Sequence, residues 1–321
     1  GYDYEVPTIS GISINRLSGV GGSGCGGNVS LMPDPLGKNI RILKGTEHAE
    51  PGYYETVLSN GVQVSLTATH RMAVERFVFP ESVEPVLLLQ PRSSFDRVHN
   101  ASFAVHSERL AKGYVESRNT CGNGRYHLYY QLHANRSFSA DTLKDGRIRL
   151  RFAPSASSQT VEIRIAVSTG LEQALDAFSV AEVWKHDFAK LREEAAGKWY
   201  AILKRVKVSG APQVQPLFYT SLYRVFHSPF KVTDEVLKNY LGTDGKVHEA
   251  GAFDYYSSWS IWDTYRTKFP LITLLQPDRS RDIMSSLAEL YMTGKKNWST
   301  DYECVPTVLT EHAIATLLDA Y

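Results

Sequence analysis

The spacing of apolar residues changes once along this chain, and that change constrains the fold more than any other feature. Between Ile40 and about Thr169 apolar and polar residues alternate, with Asn-Gly and Asp-Gly turn pairs between the runs. A period of two is typical of strands with one buried face. Beyond this region the period is three to four, at Trp184, Phe188, Leu191, Ala195, Trp199 and Ile202. That spacing predicts one long amphipathic helix.

Strands in the first half and helices in the second predict an α+β chain. Several short strands in succession favour an antiparallel sandwich over βαβ units. We expect further helices at about 216–226, 278–292 and 311–321. The last of these patterns stops in the middle of its run and has no capping residue, so we expect the chain to be an internal piece of a longer protein.

Composition excludes several classes of function. The 321 residues carry 35 basic and 34 acidic side chains, so there is no basic excess of the kind that holds nucleic acid. No apolar run approaches the roughly 18 residues that a membrane span needs. The three cysteines are too few and too far apart to predict a disulfide framework or a metal site. The first residues, GYDYEV, do not have the pattern of a signal peptide.

Six glycines lie between residues 19 and 27, and part of this segment fits the pattern G-x-G-x-x-G. A dinucleotide site needs a strand before the glycines and a helix after them, whereas NVSLMPDP follows here. We therefore reject a nucleotide cofactor. A glycine-rich loop is typical of flexible surface segments, but it also lets backbone amides approach a ligand closely.

Aromatic residues crowd beside two carboxylates, Asp254 and Asp263. They are Phe253, Tyr255, Tyr256, Trp259, Trp262 and Tyr265. A sugar ring offers an apolar face to an aromatic side chain and hydroxyl groups to a carboxylate, so this combination indicates a sugar pocket. Aromatic residues at helical spacing are, however, more often part of a core. The residues alone leave both interpretations open.

Three segments, in the same order, resemble glycoside hydrolase family 92, the calcium-dependent exo-α-mannosidases. The first is GYDYEVPTISGISINRLSGVGGSGCGGNVSLMPD at residues 1–34. The second comprises KWYAILKRVKVSG and FYTSLYRVFHSP, and the third is YSSWSIWDTYRTKFPLITLLQPDRSRDI at 256–283. The resemblance implies an antiparallel β-sandwich domain (1–170), a helical linker (171–210) and the first helices of an incomplete (α/α)6 catalytic barrel (211–321).

The resemblance also implies roles for particular residues. Asp263 is expected to accept hydrogen bonds from hydroxyls of the terminal mannose, with Trp262 beside it, and His312 is expected near the barrel axis. The glycine-rich loop is expected to form another wall of the pocket through Arg16, Ser18, Gly19, Gly24 and Cys25. Many family members have His where this chain has Arg16, which suggests a different, anionic substituent on the leaving-group side.

Inverting hydrolysis needs one carboxyl group as acid and another as base. The family motifs that carry them do not occur here, so no catalytic residue and no calcium ligand is assigned to this chain; both sets are expected beyond Tyr321. The implied activity is single-displacement release of terminal α-linked mannose, with α-1,2 linkages the preferred choice. We expect the segment alone to be inactive and to aggregate, because an incomplete barrel exposes apolar faces.

Two other functions remain open at this point. One is another enzyme with a sandwich and a barrel, such as a disaccharide phosphorylase or glucosidase, which phosphate dependence would reveal. The other is a non-catalytic carbohydrate-binding module, which would bind sugar without turnover. The resemblance to the family implies a secreted, periplasmic or cell-surface bacterial protein. Its expected partners are a mannose-containing glycan and the remainder of its own catalytic domain.

Overall fold

A computed structural model of the chain describes residues 4–15, 26–34, 40–118, 124–153, 159–258, 261–293 and 312–320. Within those ranges the strands are β1 (Thr8–Ile9), β2 (Ile12–Ser13), β3 (Ser30–Met32), β4 (Ile40–Arg41), β5 (His48–Glu50), β6 (Tyr53–Val57), β7 (Gln63–Ala68), β8 (Met72–Val78), β9 (Val86–Gln90), β10 (Val98–Ser107), β11 (Leu110–Arg118), β12 (Arg125–Ala134), β13 (Phe138–Thr142), β14 (Ile148–Phe152), β15 (Thr160–Ser168), β16 (Phe230–Lys231), β17 (Asn239–Leu241), β18 (Val247–Glu249) and β19 (Tyr256–Ser257).

The helices of the described residues follow mainly in the second half. They are α1 (Val180–Val183), α2 (Phe188–Leu203), α3 (Val214–Val225), α4 (Ile261–Thr264), α5 (Lys268–Leu275), α6 (Pro277–Met292) and α7 (His312–Ala320). Short 3-10 turns lie at Lys44–Thr46 and Glu172–Ala177. No helix in these ranges has the length and apolar character that crossing a membrane requires.

Two antiparallel sheets pack face to face in the first half. One has eight strands in the order β10-β11-β12-β15-β8-β7-β6-β5, and the other has five in the order β13-β14-β9-β3-β2. Both contribute to one buried core, for example Phe77 and Ile163 from the larger sheet and Leu31 and Leu150 from the smaller. The alternating pattern therefore predicted the mixed α+β class and the antiparallel sheets correctly.

The larger sheet is buried on its outer face as well, where helix α2 covers part of it. Along β8, Phe77 points into the core between the sheets, whereas Met72 and Val74 pack against Phe188 and Leu191. Because side chains alternate across a strand, one strand serves two cores. The second core joins the sandwich to the helical part.

The prediction of one continuous helix from Trp184 was wrong at its start. Helix α1 ends at Val183, and α2 begins only at Phe188, after Asp187 accepts a hydrogen bond from the Lys190 amide at 2.8 Å. Between them, Arg164 Nη1 donates to the carbonyls of Val183 at 2.6 Å and His186 at 2.8 Å. A helix cap and a buried guanidinium therefore satisfy groups that a continuous helix would pair internally.

The helical part has its own core, to which α3, α5, α6 and α7 all contribute buried side chains. Helices α3, α6 and α7 lie close to the ranges predicted from the sequence, whereas α5 was not predicted. Neither were the small ladders β16–β19 and β17–β18, which lie between α3 and α4. These strands have two or three residues each, too few for a periodic pattern.

Gly113 in β11 leaves room for a buried ring, and this predicts a cost for any larger residue. A Cβ atom there would overlap Cζ and Oη of Tyr130, the residue opposite it in β12. Tyr130 is fully buried, and its hydroxyl donates to the Ser102 carbonyl at 3.0 Å. We expect Gly113→Ala to lower the free energy of unfolding by about 1–3 kcal/mol through overpacking.

Urea denaturation measures this effect, with Gly45→Ala as the matched control. A Cβ atom at Gly45 would meet no atom within 4 Å. Equal unfolding free energies for the two variants would contradict the overpacking at Gly113.

Candidate active site

Three rings meet where α4 faces the start of α7. The Trp262 and His312 ring centroids are 5.4 Å apart with their planes nearly perpendicular, and Tyr265 lies 4.3 Å from His312. Ile261 is fully buried in the helical core and anchors α4, while Trp262 and Asp263 are exposed. The fold thus presents an indole and a carboxylate to the surface, with an imidazole beside the indole.

The other residues predicted for the site, Arg16, Ser18, Gly19, Gly24 and Cys25, lie outside the described residues. The residues on either side of that segment are described. Asn15 Nδ2 donates to Asn28 Oδ1 at 3.0 Å, and the backbone amide of Asn28 donates to Asn15 Oδ1 at 2.8 Å. The Gly27 amide donates to the Asn15 carbonyl at 2.7 Å. These bonds bring the two ends of the glycine-rich segment together.

The same two ends border a cleft of about 340 Å³ between the sandwich and the helical part. Asn15, Gly26 and Arg71 are among the residues that line it from the sandwich side, and Lys231 and Ser257 from the other. Arg71 is buried and its Nη2 donates to the Val232 carbonyl at 2.6 Å, so it also links the two parts.

The charges in this cleft are largely compensated. Lys231 Nζ lies 3.0 Å from Glu235 Oε1 and 3.3 Å from Asp254 Oδ2. Burial lowers the pKa of Arg71, and the nearby Asp234, Glu235 and Asp254 oppose that shift. Burial would also lower the pKa of Lys231, but its two carboxylate partners raise it overall. A wall with paired charges suits a neutral, hydroxyl-rich ligand better than an ion.

Two further cations fix the turn that leads into β16 and hence into this cleft. Lys268 Nζ donates to Ser228 Oγ at 2.7 Å, and Arg279 Nη2 donates to the carbonyls of Phe226 at 3.2 Å and Pro229 at 2.9 Å. Burial, with a contribution from Arg279, lowers the pKa of Lys268 to about 8. Lys268 thus holds the Ser228 side chain, and Arg279 holds backbone carbonyls on either side of it, so both cations position the cleft wall.

Comparison with protein families identifies the chain. A sequence model of the glycosyl hydrolase family 92 N-terminal domain matches residues 1–168, and one of the family's catalytic domain matches residues 173–321. The chain belongs to glycosyl hydrolase family 92. The resemblance inferred from the three motif segments is confirmed.

Solved structures of family 92 have the same fold. One family 92 glycosyl hydrolase superposes on the whole chain with a TM-score of 0.87 at 26% identity, and the match covers 48% of that protein. An α-mannosidase of the family from Bacteroides thetaiotaomicron matches 95% of the chain and 46% of its own length, with a TM-score of 0.83 at 21% identity. An inverting mannosidase from the same organism matches 98% of the chain and 49% of its own length, with a TM-score of 0.76 at 22% identity.

A curated relative is an uncharacterized secreted glycosidase from Arthroderma benhamiae. It is 24% identical over 291 residues, which cover 73% of this chain and 37% of the relative. The family 92 chain described here thus spans less than half the length of the proteins that it matches.

The acidic side chains of the described residues do not gather into a cluster that could supply the carboxylates of a calcium site. Calcium takes about six to eight oxygen ligands, several of them carboxylates. Across the described ranges, no group of three or more His, Cys, Asp or Glu side chains is placed to hold a metal ion. No chemical step can therefore be assigned to a metal on these residues.

Sequence reasoning missed the contribution of Arg71 and Lys231 to the cleft. Arg71 lies in the turn between β7 and β8, and Lys231 lies in a two-residue strand. The only available signal was a positive residue beside the turn in TATHRMAV. Such a signal is too common to distinguish a cleft residue from a solvated surface residue.

Proposed function

We propose that this chain forms the sandwich and the opening barrel helices of an exo-α-mannosidase that releases terminal α-linked mannose, with α-1,2 linkages preferred. The proposed division is a β-sandwich domain (1–170), a helical linker (171–210) and the start of an (α/α)6 barrel (211–321). The observation that carries this proposal is the exposed Trp262–Asp263 pair beside His312, in a chain of family 92.

The chemistry of a pyranose explains the pair. One face of the sugar is apolar and can lie against the Trp262 indole, which is 52% exposed. The Asp263 carboxylate can accept hydrogen bonds from two neighbouring hydroxyls. His312 contacts the Trp262 ring edge-on and supports its orientation. In this proposal Arg16, Ser18, Gly19, Gly24 and Cys25 form the opposite wall, on the leaving-group side.

Exposed apolar side chains support the presence of further barrel helices. Leu274 at the end of α5, Met292 at the end of α6 and Leu318 in α7 are 77%, 82% and 74% exposed. Large apolar groups on neighbouring helices are typical of surfaces that pack against another element. We propose that further helices of the same protein cover them.

The acid, the base and the calcium ligands are proposed to lie outside this chain. Bound calcium would act as an electrostatic clamp on the sugar in a single-displacement inverting reaction. The described residues would bind and orient the mannose. The proposed location is secreted, periplasmic or at the cell surface, and the secreted relative supports a place outside the cytoplasm.

Asp263→Asn tests the proposal in the protein that contains this chain. The substitution keeps the shape but removes the charge that strengthens two hydrogen bonds, each worth about 1.5–3 kcal/mol. We expect kcat/KM for an α-1,2-mannobioside to fall by about 10²–10⁴-fold. Mannose release should also stop with a calcium chelator and return with added calcium.

Asp141→Asn is the matched control, because Asp141 is an exposed carboxylate on β13, an edge strand of the sandwich that none of the proposed further helices needs to cover. It should retain the parent rate. Undiminished mannose release by Asp263→Asn would remove Asp263 from the site. A parent protein that releases no mannose from any α-mannoside would overturn the proposed function itself.

A further inference from the structure

The outer face of β11 and β12 carries three rings that belong to none of the three hydrophobic cores. Tyr114 and Tyr129 lie opposite each other in the β11–β12 pairing, with ring centroids 5.1 Å apart. His127 completes the group at 6.1 Å from Tyr114 and 5.6 Å from Tyr129. Their strand neighbours Val115 and Leu128 lie in the sandwich core, so the three rings point to the other side of the sheet. We call these three residues the aromatic platform.

The edge of the sheet leaves the platform open on one side. On β10, Ser102 pairs with Tyr114 and Asn100 pairs with Glu116. Both β10 residues are exposed, and both are smaller than the rings beside them. The rings therefore stand above their neighbours toward the edge strand and offer a shallow surface.

A fixed carboxylate lies next to the rings. Glu116 Oε2 accepts a hydrogen bond from the Tyr114 hydroxyl at 3.0 Å, and Glu116 Oε1 accepts one from Arg125 Nη1 at 2.8 Å. Burial alone would raise the pKa of Glu116, but these two bonds hold it below its ordinary value. Lys112, on the same face, lies 3.9 Å from Asp176. The charges around the platform are thus paired, which favours a neutral ligand over an ionic one.

The platform is continuous with the interdomain cleft. His127 is one of the three rings and also lines the cleft that Asn15 and Gly26 border. A ligand that leaves the cleft on this side therefore meets the Tyr114 and Tyr129 rings next. A chain of sugar rings has the required shape, with an apolar face for each ring and hydroxyls for Glu116 and Arg125.

We propose that the aromatic platform is a glycan-binding surface of the sandwich, which holds outer sugar units of a neutral oligosaccharide. That these units belong to a mannose-containing substrate rests on the proposed function. The platform itself needs only stacking rings and positioned polar groups. It gives the sandwich a role in selecting longer glycans over short ones.

The test compares a linear α-mannopentaose with an aryl α-mannoside, which is too short to reach the platform. In the double variant Tyr114→Ala/Tyr129→Ala, we expect the ratio of KM for the pentaose to KM for the aryl mannoside to rise about five- to a hundredfold. The double variant Tyr114→Phe/Tyr129→Phe keeps the rings and should keep most of the parent ratio. Tyr200→Ala removes an exposed tyrosine from α2 and should not change it.

Other results would contradict either this proposal or the proposed function on which it partly rests. An unchanged ratio in the alanine double variant, with thermal unfolding as in the parent, would show that the rings do not bind sugar. Protection of both tyrosine rings from hydroxyl-radical footprinting in the unliganded protein would show that another protein surface covers them. If the parent hydrolyses neither substrate, the proposed function fails. In that case, calorimetric titration with mannopentaose tests the platform by itself. Equal affinities of the parent and the alanine double variant would exclude the platform as a glycan-binding surface.

Discussion

Replacing Arg164 by Met is expected to lower the free energy of unfolding by about 3–5 kcal/mol, since the change breaks a buried ion pair from one side. Arg164 is 2% exposed, and its Nε donates to Glu162 Oε1 at 2.8 Å. Its Nη1 also donates to the carbonyls of Val183 and His186, and its guanidinium lies 4.1 Å from the Trp184 ring centroid. Met fills similar space but satisfies none of these acceptors.

Part of the network would survive the substitution. Arg76 donates to the other Glu162 oxygen at 3.0 Å and 2.8 Å, so Glu162 keeps one cation. Among the described residues, the carbonyls of Val183 and His186 have no second side-chain donor. An unpaired buried carbonyl costs about 1–3 kcal/mol. We therefore expect the loss to appear first as detachment of the segment around Trp184 from the sheet.

Urea denaturation, followed by tryptophan fluorescence, measures the Arg164 effect. The matched control is Arg151→Met, because Arg151 makes exposed ion pairs with Glu84 and Asp141. Exposed pairs contribute about 0–1 kcal/mol, so this variant should be nearly as stable as the parent. Similar losses for the two variants would show that the buried network does not anchor the linker.

Replacing Glu75 by Gln is expected to remove much of the alkaline loss of stability. Glu75 is 2% exposed in β8, paired with Leu66 and Ile163 on the neighbouring strands. Its Oε2 has no hydrogen-bond partner among the described residues. Burial raises the pKa of this carboxyl from an ordinary value of 4.5 to about 8. At neutral pH the folded chain therefore carries Glu75 largely as the neutral acid.

The direction of the pH effect follows from the two pKa values. Between pH 4.5 and about 8 the folded state keeps a proton that the unfolded state has released. The free energy of unfolding consequently falls as pH rises through this range and levels off above it. A shift of this size corresponds to a loss of roughly 3–5 kcal/mol by pH 9. Gln has no proton to lose, so the variant should be more stable than the parent at pH 9.

The measurement is the difference in unfolding free energy between parent and variant at pH 5, 7 and 9. Other buried groups cancel in this difference; His133, for example, has its pKa lowered to about 4 by burial and destabilises both proteins alike in acid. Glu193→Gln, at an exposed position on α2, is the control and should follow the parent. A constant difference across the three pH values would mean that Glu75 is ionised in the folded chain.

Local patterns were enough to predict most of the architecture. In a strand with one buried face the apolar residues repeat every two positions, and in a helix with one buried face they repeat every three to four positions. The antiparallel sheets and the helices near 216–226 and 278–292 could therefore be predicted from short stretches of sequence. The prediction failed at Trp184–Asp187, where the periodic apolar residues continue but the helix does not. Arg164, one of the two residues that stabilise that break, is about twenty positions away in the chain.

The candidate site likewise has residues that the sequence predicted and contacts that only the structure showed. Trp262 and Asp263 were recognised from the sequence because they are adjacent in one distinctive segment. The contact between Trp262 and His312 depends on how α4 and α7 pack in the helical part, since fifty residues separate the two rings. Arg71 is a cleft residue only because the β7–β8 turn meets the segment that contains Val232.

The sequence by itself determined the order of strands and helices, the family, and the aromatic and acidic residues of the candidate sugar site. These features depend on residues that are close together in the chain, so they can be inferred from composition and spacing. Only the tertiary structure decided which residues share the interdomain cleft and that β8 serves two cores. Only strand register decided that Tyr114 and Tyr129 form one platform. Such contacts join residues far apart in sequence, and their geometry comes from burial and hydrogen bonding of the whole chain.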